Sequence, residues 1–292
     1  MSYLTERLNK KIRKRTIFGV ILFLLIFVFV IISFAKRGRG DTGYSWVRDT
    51  RYIVHALGGI NGDQYTNSRE ALSGSYERGG RVIEADIEYT SDGELVLIHN
   101  WKKKTLKELF GYETSMDEEP LSLNEFKDMK VYGKYSTLTF RELMEFMRDH
   151  KDMMLVLDGK YDKEADIRRQ YGDIYRIACE YGDDIPDRLI PQIYNEEMYD
   201  TIMEIYDWKG VIFTWYQLDE DTLDPEEIFR FCDENNIRVC TMEDSKENPL
   251  IDRTAAKYDV NIYVHTINDE AVSERLFDSG VAGIYTDFLF DR

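Results

Sequence analysis

Nine short aliphatic and β-branched runs recur along the chain, and helical patterns fill most of the gaps between them. The runs are Tyr52–Leu57, Arg81–Thr90, Glu94–His99, Met153–Asp158, Leu189–Tyr194, Gly210–Tyr216, Ile237–Met242, Asn261–Thr266 and Ala282–Asp287. Many are apolar on both faces, as strands buried between helices must be. Strands joined in this way by helices pair in parallel. Few folds accept such a pattern.

The helical segments carry their own start and stop signals. Phe140, Leu143, Met144 and Met147 fall at i, i+3, i+4 and i+7, behind a Thr139/Glu142 capping-box pair. Asp224-Pro225 opens another helix, with Ile228, Phe231 and Cys232 on one face. Asn268 opens a last one and Gly280 stops it. About eight strands over roughly 240 residues suit an α/β (β/α)8 TIM barrel. An open doubly wound sheet would need a glycine-rich phosphate turn, and Gly58-Gly59 is too little to make one. Residues 101–136 lack strand periodicity and read as an insertion able to wall a site.

Before the barrel, residues 17–35 form an uncharged apolar run long enough to span a bilayer of about 30 Å as a helix. Residues 1–16 read as a basic cytoplasmic segment, 17–35 as a single transmembrane helix, 36–50 as a linker and 51–292 as the barrel domain. Six Lys/Arg precede the run and three follow it closely, which favours a cytoplasmic N-terminus and an extracytoplasmic domain. A cleaved signal peptide ending near Ser33-Phe34-Ala35 is the competing reading.

Residues 1–39 carry nine Lys/Arg and one acid, +8 within a whole-chain charge of −17, which leaves −25 on the remainder. Such a domain repels nucleic acid, so a nucleic-acid partner is not expected. An anionic substrate is still admissible where a divalent cation inverts the local field. Three cysteines, Cys179, Cys232 and Cys240, cannot form a disulfide framework and read as buried thiols.

Chemistry concentrates around one strand. Glu84 and Asp86 lie two apart in the run Arg81–Thr90, so period-2 geometry puts both carboxylates on one face. Two such neighbours repel unless a cation, an arginine or a shared proton lies between them. Thr90-Ser91-Asp92-Gly93 supplies a turn into the next run, which ends on His99. His55 stands near the end of the first run and His265 near the end of a late one. Acids and histidines at strand ends point to metal-assisted acid/base chemistry.

These residues, in order, resemble the glycerophosphodiester phosphodiesterases, which belong to the phosphatidylinositol phospholipase C-like barrels. The resemblance rests on His55, Asn67 to Leu72, Glu84-Ala85-Asp86 and Thr90 to His99. It continues through Leu157-Asp158-Gly159-Lys160, Val264 to Asp269, and Gly280 to Phe288. It implies that Glu84, Asp86 and Asp158 hold one divalent cation, Ca²⁺ or Mg²⁺, whose preference for hard oxygen donors they meet. It implies His55 and His99 as the general acid and base, and Lys160 as a phosphoryl contact. The family mechanism forms a cyclic phosphate through the neighbouring glycerol hydroxyl and then opens it with water.

The chain also departs from the family. Ala56 stands where arginine usually follows the first histidine, leaving phosphate to the metal, Lys160 or another base such as Arg81. Asp158 replaces a usual glutamate, as in the related sphingomyelinase D-type barrels. Asn100 replaces an aspartate and His265 a tryptophan. The expected substrate is a glycerophosphodiester, a lipid headgroup or a surface-polymer phosphodiester.

The main alternative is a non-catalytic barrel that binds a surface glycan or lipid. A glycoside hydrolase would need two carboxyls about 5–10 Å apart and gives no role to Lys160 and two histidines. Trp101 and Trp215 are candidate pocket walls and equally candidate packing residues, His150 a solvated helix end, and Asp117-Glu118-Glu119 and Asp219-Glu220-Asp221 solvated loops.

Overall fold

The structure, a computed structural model, describes residues 43–215 and 224–291. Eleven strands are present among them: β1 (Tyr52–Val54), β2 (Val82–Tyr89), β3 (Leu95–Leu97), β4 (Lys130–Val131), β5 (Tyr135–Ser136), β6 (Met154–Gly159), β7 (Leu189–Ile193), β8 (Ile212–Thr214), β9 (Val239–Glu243), β10 (Asn261–His265) and β11 (Gly283–Thr286). Eight of them pair in parallel in the order β1-β2-β6-β7-β8-β9-β10-β11, and β11 returns to β1. The sheet closes into the expected (β/α)8 barrel, which leaves none of these eight strands with a free edge. The run ending at His99 is the exception. Gly93, at φ 88°, turns the chain back, and β3 pairs antiparallel on the outside of β2.

The helices lie where their signals put them, with small corrections. Thr139 and Glu142 form a reciprocal capping box ahead of Phe140–Asp149. Asp224 caps Pro225–Glu234, whose buried residues are Phe229 and Cys232, with Ile228 and Phe231 only partly covered. The last helix is capped by Asp269, one residue past Asn268, because Asn268 is engaged by Asp287. Cys232 and Cys240 are buried, but Cys179 is exposed on its helix.

The insertion is a folded unit with its own small core. Trp101, Leu106, Leu121 and Phe126 pack beneath helices Lys103–Phe110 and Leu123–Asp128, and β4 and β5 form a hairpin that the sequence pattern does not announce. Residues 43–50, expected within a linker, pack against the barrel instead. Tyr44 and Trp46 are nearly fully buried and join one apolar cluster with the barrel interior. Among the described residues no helix is long and apolar enough to cross a membrane. The predicted span 17–35 lies outside those residues.

The barrel interior is built in layers. Ile53, Val82, Val156, Ile190, Ile212, Val239, Tyr263 and Tyr285, one from each barrel strand, form the lower layer with Tyr44 and Trp46. Two residues further along each strand, on the same face, stand His55, Glu84, Asp158, Gln192, Thr214, Thr241, His265 and Asp287. The interior changes from hydrocarbon to polar chemistry in one pleat, at the C-terminal ends where barrel sites form.

Candidate active site

The upper layer opens into a cleft of about 650 Å³, lined by His55, Glu84, Asp86, His99, Asp158 and Lys160 among others. All six predicted site residues therefore meet in one place. Glu84, Asp86 and Asp158 are 2%, 1% and 8% exposed, and their ligand atoms lie within 4.8 Å of one another. The register explains this: β2 and β6 are paired with Asp86 opposite Asp158.

Each carboxylate is held from behind. Glu84 accepts from the Ala56 backbone N–H at 2.7 Å. That N–H points inward because Ala56 and Leu57 take left-handed conformations, φ 47° and 62°, which end the predicted run at Val54. Such conformations cost of order 1–3 kcal/mol each for residues with a side chain, and they persist here as part of the site. The Ala56 side chain is itself fully buried. Asp86 accepts from the Asn67 amide at 2.8 Å, and Asp158 from the Tyr194 hydroxyl.

The Lys160 ammonium stands between acids, 2.5 Å from Asp86 and also bonded to Asp158. One ammonium stands among three buried carboxylic groups. Burial, reinforced by the charge of Asp86, pushes the Glu84 carboxyl up to about 8. Burial acts the same way on Asp86, but Lys160 and the histidines outweigh it and hold that carboxyl low. Three clustered hard oxygen donors, one of them with a proton affinity raised by burial and by its acidic neighbour, fit a divalent cation.

The two histidines differ in their surroundings. His55 sits in the tight turn after β1, its Nδ1 3.1 Å from Asp287 Oδ1. A carboxylate only accepts, so Nδ1 carries the proton. Asp287 is fully buried; the Asn268 amide donates to its Oδ2 at 2.7 Å, and Asn268 Oδ1 accepts from its backbone N–H at 2.7 Å. Burial alone would push His55 down, but Asp287 and the Glu84 charge overcome it and raise the imidazole to about 9. His99 lies two residues beyond β3, and burial pushes it down. Its Nδ1 is 2.6 Å from Asn100 Nδ2, while Asn100 Oδ1 accepts from Lys102 N–H and the Thr105 hydroxyl.

Several side chains here carry roles the sequence does not announce. Asp287 orients His55; its strand-end position two residues past Tyr285 was the available signal. Glu88, 7% exposed and raised to about 7 by burial, lines the cleft beyond Asp86. Lys102 and Glu118 reach the cleft from the insertion, so Glu118 is not simply a solvated loop residue. Arg81 lies away from it, paired with Asp152 at 2.7 Å, and is not a phosphate contact. Trp101 and Trp215 are fully buried packing residues, against Phe126 and Phe229. His265 ends β10 as a wall of the cleft, and burial pushes it down to about 4. His150 caps its helix with its ring stacked on Phe146 at 3.9 Å, only partly open to solvent. Residues 219–221 lie outside the described residues.

The sequence pattern of the glycerophosphoryl diester phosphodiesterase family matches residues 59–290. The chain belongs to this family. It is a phosphoric diester hydrolase, and the buried acid triad agrees with the metal dependence of the family's enzymes. Similar solved structures share the fold at low identity. A glycerophosphoryl diester phosphodiesterase from Silicibacter pomeroyi is 17% identical with a TM-score of 0.68, covering 82% of this chain and 90% of its own. A phosphodiesterase from Oleispira antarctica, solved with the product sn-glycerol-3-phosphate, is 16% identical with a TM-score of 0.66, covering 84% and 95%. A glycerophosphodiester phosphodiesterase from Thermotoga maritima is 19% identical with a TM-score of 0.58, covering 82% and 94%. No curated protein matches the chain.

Proposed function

We propose that the chain hydrolyses a phosphodiester bearing a free hydroxyl beside its phosphoryl group, with His55 and His99 as the paired general acid and base. A glycerophosphodiester, or a related lipid or cell-surface phosphodiester, meets that description. The observation that carries this reading is a pair of imidazoles lining one cleft with the acid cluster, one held by a carboxylate and the other by an amide. His55 commits its Nδ1–H to Asp287, which leaves Nε2 for the proton exchanged with substrate, as in a triad. His99 Nδ1 accepts from an Asn100 amide whose oxygen is already engaged, so its Nε2 is likewise the nitrogen left for substrate. The raised proton affinity of His55 and the lowered affinity of His99 set the two imidazoles apart, as an acid and a base must be.

Glu84, Asp86 and Asp158 would hold one Ca²⁺ or Mg²⁺. When bound, that ion supplies positive charge for the phosphoryl oxygens. Lys160 adds its own charge to the same oxygens. The apolar run 17–35, with basic residues ahead of it, supports a single-pass anchor with an extracytoplasmic catalytic domain.

The test is cleavage of glycerophosphocholine, glycerophosphoethanolamine and a chromogenic diester by the full chain, with Ca²⁺, Mg²⁺ or chelator. Turnover that needs the cation and disappears in His55→Ala and His99→Ala is expected. Equal turnover in chelator, or in either variant, overturns the mechanism.

A further inference from the structure

Tyr65 stands out at the mouth of the cleft. Its ring lies edge-on to both histidines, 4.5 Å from His55 and 5.9 Å from His99 between ring centres, at 90° and 88°. It is 39% exposed, one of the few large apolar side chains in the described residues left open to solvent. An aromatic ring on two proton-transfer groups, with its outer face to water, covers the space between them.

The loop that presents it is held in place from outside the barrel. Tyr65 has φ 55°, and Asn61, Gly62 and Asn67 around it are also left-handed. The insertion hairpin anchors this turn. The Tyr132 hydroxyl donates to the Gln64 carbonyl at 3.2 Å, the Tyr135 hydroxyl to Asp63 at 2.8 Å, and Lys134 pairs with Asp63 at 3.1 Å. A backbone strained at several residues persists only when its surroundings over-determine it, and this hairpin does so.

We propose that Tyr65 retains the cyclic phosphate between the two halves of the reaction, an inference that rests on the function proposed above. In the first half, the substrate hydroxyl oxygen bonds to phosphorus as its proton passes to the neutral imidazole of the pair. The bond from phosphorus to the leaving alcohol breaks, and that oxygen takes a proton from the other imidazole, which starts as imidazolium. In the second half, a water oxygen bonds to phosphorus and its proton goes to the imidazole that gave one. The ring P–O bond breaks, and the imidazole that took the first proton returns it to the freed oxygen. Between the halves no nucleophilic serine or cysteine among the described residues tethers the cyclic ester, because the hydroxyl side chains they bring to the cleft are threonines and tyrosines. A small diester that is not covalently held escapes unless the site is covered while water attacks. Tyr65 is the cover, and the hairpin β4–β5 is its support.

The test is ³¹P NMR of the products formed by the full chain, its Tyr65→Ala variant and its Tyr65→Phe variant on a glycerophosphodiester with divalent cation. Wild type is expected to yield mainly open glycerol phosphate. Tyr65→Ala is expected to release roughly tenfold more cyclic ester, with Tyr65→Phe, which keeps the ring, partitioning like wild type. The same partition in Tyr65→Ala as in wild type overturns the proposal, and so does a Tyr65→Phe variant that leaks as much as Tyr65→Ala. A wild-type chain that forms neither product overturns the function proposed above.

Discussion

The lower and upper layers of the barrel interior are drawn from the same eight strands, two residues apart, and do opposite things. The lower layer is Val, Ile and Tyr around Trp46, and it is close-packed hydrocarbon. The upper layer holds His55, Glu84, Asp158, His265 and Asp287, each held by hydrogen bonds or opposed charges or facing the cleft. One layer contributes apolar burial at about 25 cal/mol per Å². The other gathers like charges in a low-dielectric space, which costs stability and provides chemistry. The stability of the barrel and its activity are therefore separable along each strand.

Substitutions in the two layers can break that separation. His55→Ala should lower kcat by about 10²–10⁴-fold, with Tm within about 2–4 °C of wild type. A loss of several kcal/mol in stability instead would place the upper layer among the packing residues. In the lower layer, Trp46→Ala should cost about 3–5 kcal/mol and Ile190→Ala about 2–5 kcal/mol, read from denaturant midpoints, with kcat per folded molecule kept. Asp287→Asn tests the link from a buried carboxylate to its histidine. It should drop kcat by about 10²-fold or more and lower the His55 titration followed by NMR, since Asp287 is what lifts it.

The smallest expected effect sharpens the comparison most. Glu84 rises from 4.5 to about 8 on folding when no cation is present. The folded chain then binds more protons than the unfolded one between those values, so stability falls as pH rises through that window. Glu84→Gln should remove much of that slope and raise Tm above pH 8 by about 2–4 °C, while weakening Ca²⁺ or Mg²⁺ binding measured by calorimetry. A variant less stable than wild type at that pH would show that the carboxylate is structural.

The barrel was readable because buried parallel strands must be apolar on both sides, and eight of the nine runs became barrel strands. Glu84, Asp86 and Asp158 were readable as unlike their surroundings: acids inside apolar runs. The end of the first run was not. Ala56 and Leu57 look like strand residues, and their left-handed turn is held by partners distant in sequence: Glu84 on the Ala56 N–H, Asn67 on the Ala56 carbonyl and Ser75 on the Leu57 carbonyl. The hairpin β4–β5 was missed because two-residue strands carry no period. For Trp101 residue type left pocket wall and packing equally open, and only burial decides for packing.

The sequence by itself determined the strand and helix order, the acid pair, the strand-end histidines and the charge of the domain. These follow from local periodicity and residue chemistry, which the chain carries with it. Tertiary structure decided that Asp287 reaches His55 across 232 positions, that Lys160 lies among the acids, and that Tyr65 covers both histidines. Those contacts exist only once the sheet closes, because closure brings the first and last strands side by side and turns eight separate strand ends into one cleft.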